Sequence, residues 1–282
     1  MTSTQPNELR RLALQAFLIK DPFEKCASVA CITPMLTVDP RLDIAGGEPL
    51  PDVPGRPGSP VLVSPASLTD RSVHTLLGRA ALLHALAHIE FNAINLALDA
   101  IWRFPGMPQD YYLDWLSVAR EEAQHFGLLS ERLKAIGYEY GDFPAHDGLW
   151  EMAQKTTGDA LARLALVPRT LEARGLDVAP PVRHKLASAS DPESAAVLDI
   201  ILRDEIGHVA IGNRWYRYLC EQRGLDPIQT YDELALKYGA PKPRGPFNWS
   251  ARKQAGFSDA ELARLQKQTL RPLTRTATDL AR

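Results

Sequence analysis

The clearest helical pattern in the chain is DPESAAVLDIILRDEIGHVAIGNRWYRYLCEQRG, residues 191–224. Asp191 followed by Pro192 reads as an N-cap and a first helical residue, and Gly224 as the stop. Between them an apolar stripe runs through Leu198, Ile201 and Leu202, then Val209, Gly212, Tyr216 and Leu219. Glu205 and His208 occupy the gap in that stripe, where core residues belong. Three residues advance a helix by about 4.5 Å and turn it by about 300°, so both side chains point to one face.

The same Glu-x-x-His recurs at Glu122 and His125, inside a helix predicted from about Gln109 to Ile136 and stopped by Gly137. Its stripe of Trp115, Ala119, Phe126, Leu129 and Leu133 is again interrupted by the motif. Two further helices each carry one glutamate among apolar neighbours. The first starts within Thr69–Ser72, where Thr69, Asp70 and Ser72 all qualify as caps, runs to about Trp102, and places Glu90 between Ala87 and Ile94. The other is expected from about Trp150 to Arg174, kinked at Pro168 and ended by Gly175, with Glu172 following Leu161, Ala165 and Pro168. A short turn is expected after Pro180-Pro181. Glu90 lies 15 residues before Pro105 and Glu122 17 after it, so the two meet at one level of an antiparallel pair. Glu172, near its expected helix end, matches Glu205 less well and requires residues 176–190 to travel along the bundle.

One glutamate from each of two helices, plus Glu-x-x-His from the other two, is the ligand inventory of a carboxylate-bridged di-metal bundle. Four buried carboxylates would each cost several kcal/mol without compensation, and two divalent cations nearly neutralise them. The candidate metal ligands are therefore Glu90, Glu122, His125, Glu172, Glu205 and His208. A single Glu-x-x-His on a solvated face would mean little, and a metal-free polar network is the alternative. Glu121 and Asp204, immediately before the motif glutamates, are candidates to accept the second ring N–H of a ligand histidine, or to form surface salt bridges. His84 and His88 point away from Glu90 and are expected to pack against the arm or tail. His146 and Asp147 either cover the site or cap the third helix.

Outward from the helices, residues 6–19 read as a short amphipathic helix. Residues 46–66, with six prolines and four glycines, read as an extended arm. A Pro-rich stretch, APKPRGPFNWS, and a last helix from about Ser258 follow the fourth helix. The expected organisation is an arm (1–68), a four-helix bundle (69–224) and a C-terminal extension (225–282), forming one globular domain. No strand pattern is present, so the fold class is all-α. With 34 acidic against 32 basic residues the formal charge is −2, which argues against general nucleic-acid binding. Charges interrupt the first thirty residues, which do not resemble a secretory signal, and no uncharged apolar run is long enough to span a membrane. Cys26, Cys31 and Cys220 are too few for a disulfide framework. A cytoplasmic setting fits, with Cys26 and Cys31 read as buried and structural rather than as a thiol clip.

At these residues the chain resembles the ferritin-like di-iron carboxylate superfamily, and within it a bacterial ferritin-like family of unknown function. The likeness spans about residues 8–265 and includes PGRPGSP, HALAHIEFNAINLALDA, REEAQHF, YGDFPAHDGLW, LVPRTLEARGLDV, DEIGHVAIGNRW and GPFNWSARKQAGFS. The resemblance implies a ferritin-like four-helix bundle with Glu122 and Glu205 bridging two irons, or a manganese–iron pair, and Glu90 and Glu172 terminal. It implies an O₂-activating oxidoreductase, an oxidase or hydroxylase, acting on a small or macromolecule-attached substrate with an electron donor. In the superfamily's monooxygenases the motif reads Asp-Glu-x-Arg-His. Here Asp204-Glu205 matches its opening, but Glu121 replaces the Asp, and Gln124 and Gly207 replace the Arg, which weakens transfer of that activity. A related bundle enzyme hydroxylates a modified tRNA base, for which the near-neutral charge gives no support. The alternatives are a ferroxidase or iron-handling protein, which needs little beyond four helices, and a non-catalytic metal-stabilised binding module.

Overall fold

A computed structural model describes residues 8–33, 37–42, 44, 51, 53–69 and 71–270. Among them the named elements are all helical, and extended pairing is confined to isolated bridges, Glu8 with Thr37 and Leu62 with Ala145. The chain is all-α, as its periodicities predict.

The helix with the most apolar sequence takes the centre. α1 (Leu9–Leu18) and α2 (Pro22–Cys31) precede α3 (Leu76–Arg103), in which Phe91 through Trp102 are buried on every side. Such a helix needs protein all round it. α3 is long and apolar enough to cross a membrane, but 72% of its most apolar window is covered by the protein itself. It pairs along its length with α4 (Gln109–Ala135), while α1 packs on α3 and α2 on α4. Arg10, 2% exposed, donates from α1 to the carbonyls of Ile101 and Trp102 at 3.3 and 2.9 Å. It thus satisfies carbonyls that the end of α3 leaves without partners and adds charge where the helix dipole favours it. Lys25 of α2 donates to the Phe17 and Gly55 carbonyls, and Gly55 lies so close that a Cβ there would stand 2.2 Å from the Leu18 oxygen. The Pro-rich arm is thereby seated on the helices. Its residues 46–50 and 52 lie outside the described residues, as do residues 6 and 7 of the first predicted helix and Asp70.

Two boundaries differ from expectation. α3 begins at Leu76 rather than within Thr69–Ser72, because Thr75 accepts from the Gly78 N–H and the Ser72 carbonyl closes a turn before it. The third helix is neither continuous nor ended at Gly175. It comprises α5 (Gly148–Lys155), α6 (Ala160–Leu166), a π-helical turn (Val167–Glu172) and α7 (Ala173–Ser188). Pro168 lacks an N–H and crowds the carbonyl one turn back, and the wider π turn absorbs that defect. Gly175 has no left-handed φ with which to end a helix, unlike Gly137 (φ 85°) and Gly224 (φ 63°), which do stop theirs. Pro180 and Pro181 sit inside α7, held because Leu176, Asp177 and Leu186 are buried and α7 packs along α8 (Pro192–Gln222). Asp191 caps α8 through the Ser194 N–H at 3.0 Å, as read. Beyond α8, two helices that the sequence pattern does not predict, α9 (Pro227–Tyr238) and α10 (Trp249–Gln254), flank the Pro-rich stretch, and α11 (Asp259–Leu270) follows Ser258.

Running on to Ser188 turns α7 back into α8 through a turn at residues 189–191. Glu172 and Glu205 then lie at comparable distances from that turn, so the mismatch of levels expected from the sequence disappears.

Candidate metal centre

α3, α4 and α8 bring five of the six side chains into contact. Glu90, Glu122, His125 and Glu205 each place a ligand atom within 4.8 Å of all the others. The His208 Nδ1 lies 3.0 Å from Glu122 Oε1 and 3.5 Å from Glu205 Oε1. Glu172 stands off on the π turn, acting on Glu205 and Glu122 through charge. The turn can approach α8 because the facing residue is Gly212, where a Cβ would stand 2.4 Å from the Pro168 Cβ.

Each histidine is held from two sides. His125 Nδ1 faces Glu90 Oε2 at 3.3 Å and Glu122 Oε2 at 3.4 Å, while its Nε2 lies 3.2 Å from Asp204 Oδ2. His208 Nδ1 faces Glu122 and Glu205, while its Nε2 lies 2.7 Å from Glu121 Oε2. The supports are crossed: the α8 carboxylate holds the α4 histidine, and the α4 carboxylate holds the α8 histidine. Nε2–H donating outward leaves Nδ1 directed at the glutamates. The sequence placed Glu121 and Asp204 beside the motifs, but crossing is a property of how α4 packs on α8. Arg203 fixes Asp204 in turn, at 2.8 Å.

Glu122 lies between the two imidazoles, one oxygen toward each. Both its oxygens are buried without a hydrogen-bond partner among the described residues, as are His208 Nδ1 and Glu172 Oε2. Native proteins rarely leave buried acceptors unsatisfied, since each costs about 1–3 kcal/mol or more. The lone pairs of Glu122 and His208 converge, and a cation is what would satisfy them. The donor set, carboxylate oxygen with imidazole nitrogen, suits iron, manganese or zinc.

Without a bound cation, protons would take its place. Burial raises Glu90 well above the usual carboxylate range, and Glu122 pushes it further; Glu205 is raised by the same two causes. Burial, then Glu205 and Glu122, lifts Glu172 to about 8. Burial would also raise Glu122, but the charge of His208 and the close approach of both imidazoles, at 3.0 and 3.4 Å, outweigh that, and it falls below the ordinary range. Burial disfavours the imidazolium of His125, yet Glu122 and Glu90 raise it to about 11, and Glu122 with Glu121 raises His208 in the same way.

The other singled-out residues lie elsewhere. His84 Nε2 accepts from the Gly141 N–H at 2.9 Å and its ring stacks on Tyr140. His88 Nδ1 lies 2.8 Å from the Tyr140 hydroxyl and its Nε2 3.0 Å from Asn92. Both pack against the irregular segment after α4. His146 Nδ1 accepts from the Gly148 N–H at the start of α5, and Asp147 instead takes a two-pronged ion pair from Arg56 of the arm at 2.6 and 2.7 Å. Neither covers the cluster. Cys26 is half-buried and Cys31 exposed, both unpaired, so the pair is not the buried structural one expected.

Residues 18–263 match the family described as "Protein of unknown function (DUF455)". An uncharacterized protein of Haemophilus influenzae is 49% identical over 255 residues, covering 86% of this chain and 88% of that one. No solved structure matches the chain.

Proposed function

We propose, for a chain that belongs to the DUF455 family, that α3, α4, α8 and the α6–π–α7 segment form a ferritin-like four-helix bundle around two metal ions. Glu90, Glu122, His125, Glu172, Glu205 and His208 hold them, with the arm and tail folded onto the bundle as one domain. The ions are iron, or a manganese–iron pair, and the activity is O₂-dependent oxidation of a small or macromolecule-attached substrate. The observation that carries this reading is Glu122: a fully buried carboxylate between two histidines, with neither oxygen satisfied.

Bound there, two redox-active ions would supply electrons to O₂ in a site that keeps bulk water out. The protein's own part is to bind and orient. Glu122 presents one oxygen to each histidine's side, which suits a bridging carboxylate, and Glu205 touches the same histidine–carboxylate pair. Asp204 and Glu121 fix the ring planes and hold the outward proton on each Nε2. Glu205 and Glu172 are the least enclosed of the six, so a small molecule would reach the held ions from their side.

Anaerobic loading with Fe(II), followed by O₂, tests this. The expected result is about two ions per chain by elemental analysis, with O₂ consumed and a visible absorption band developing. One ion or none would overturn the dinuclear reading. Two ions without O₂ uptake would leave the non-catalytic, metal-stabilised module, which the near-complete burial of Glu122, His125 and His208 favours.

A further inference from the structure

Arg169, Thr170 and Leu171 immediately precede Glu172 on the π turn, and they also line a pocket of about 280 Å³. Its remaining walls come from α7, α9, residues 241–257 and α11, and none of the six candidate metal ligands lines it. It is a separate site.

Its charge is unbalanced. Arg169, Arg174, Lys242, Arg244, Arg252 and Arg264 face it, against Asp177, Asp232 and Glu261. Each anion already has a cation: Arg252 grips Asp177 with two hydrogen bonds at 3.0 and 2.6 Å, Arg169 pairs with Glu261, and Arg264 with Asp232. Arg174, Lys242 and Arg244 are left, with no ion-pair partner among the described residues. The wall between these charges is aromatic. Arg169, 4% exposed, has Tyr216, Tyr231 and Phe257 rings 4.3, 5.8 and 5.2 Å from its guanidinium, and its Nε has no hydrogen-bond partner. Phe247 adds a further ring, 5.2 Å from the Arg252 guanidinium.

Three spare cations in a chain of net charge −2 are a local feature that the global charge conceals. Guanidinium forks match phosphate oxygens in pairs, an ammonium adds a point charge, and a concave site with flat apolar walls takes a ring. The volume is that of a small molecule and leaves no room for a folded partner. We propose that this pocket binds a small organic phosphate. Arg174, Lys242 and Arg244 hold the phosphate group, and Tyr231, Phe247 and Phe257 hold a planar ring.

The test is calorimetric titration of the metal-loaded full chain with 1-naphthyl phosphate, beside 1-naphthol, 1-naphthoate and inorganic phosphate. Naphthyl phosphate should bind at least about tenfold more tightly than any of the other three. The triple variant Arg174→Ala, Lys242→Ala, Arg244→Ala should weaken it at least about tenfold. All three side chains are exposed, so its thermal midpoint should remain that of the parent. Lys242→Ala alone, the mildest change, should weaken binding by a smaller factor and steepen no other property. Absence of binding, equal affinity for naphthol or naphthoate, or unchanged affinity in the triple variant would overturn the proposal.

Discussion

Two pairs of buried histidines, one on α3 and the other divided between α4 and α8, have opposite electrostatics. His84 and His88, on α3, are lowered to about 4 and about 3, first by burial. His125 and His208 are buried as deeply, yet both are raised. The difference is the partner. The first pair meets neutral groups, the Gly141 N–H, the Tyr140 hydroxyl and Asn92, which ask nothing of the ring's charge. The second pair meets carboxylates on both ring nitrogens. Burial alone therefore makes a neutral, structural histidine, and burial among glutamates makes one whose proton a metal can replace.

Removing metal should expose this contrast most strongly. In the metal-free protein, folding favours the neutral form of Glu172, whose pKa is raised to about 8. That stabilisation is whole below the ordinary carboxylate value and is lost as pH rises through about 8. Glu90 and Glu205, also raised, act in the same sense. Metal binding needs deprotonated ligands and fails toward acid. The thermal midpoints of metal-loaded and metal-free protein should differ by on the order of 10 °C near pH 7.5 and converge near pH 5. Equal midpoints at the higher pH, with metal verified in the loaded sample, would place the second histidine pair in the same class as the first.

Within the carboxylate set, Glu122→Ala should abolish both ions, because its two oxygens serve both histidines' sides, whereas Glu90→Ala should retain about one. Equal loss in a metal titration would remove Glu122 from its bridging role. A smaller effect follows at the crossed supports. Asp204→Ala and Glu121→Ala should each cost about 10–100-fold in metal affinity. Adding Asp204→Ala to His125→Ala should cost little more, while adding it to His208→Ala should be additive. The reverse pattern would show that the carboxylates act through their own helices.

The smallest effect on metal belongs to the first pair. His88→Ala should lower stability by about 1–3 kcal/mol through its lost partners, Tyr140 and Asn92. Metal content should not change. A loss of metal in that variant would erase the distinction between the two pairs.

Local sequence carries the all-α class and the helix faces on which the six candidate ligands lie. It also places the stops at Gly137 and Gly224 and the Asp191 cap. These depend on neighbours within a turn or two, where 3.6-residue periodicity and local hydrogen bonding are decisive. The rest depends on how the helices pack. Gly175, Pro180 and Pro181 read locally as breaks, but burial against α8 outweighs the lost hydrogen bonds, so α7 runs on and brings Glu172 level with Glu205. The close approach of Pro168 to Gly212, the crossing of Asp204 and Glu121, and the convergence of three unpaired cations beside the π turn all join residues more than forty positions apart, or on different helices. No local pattern encodes such meetings, because they are set by which helix faces share buried surface.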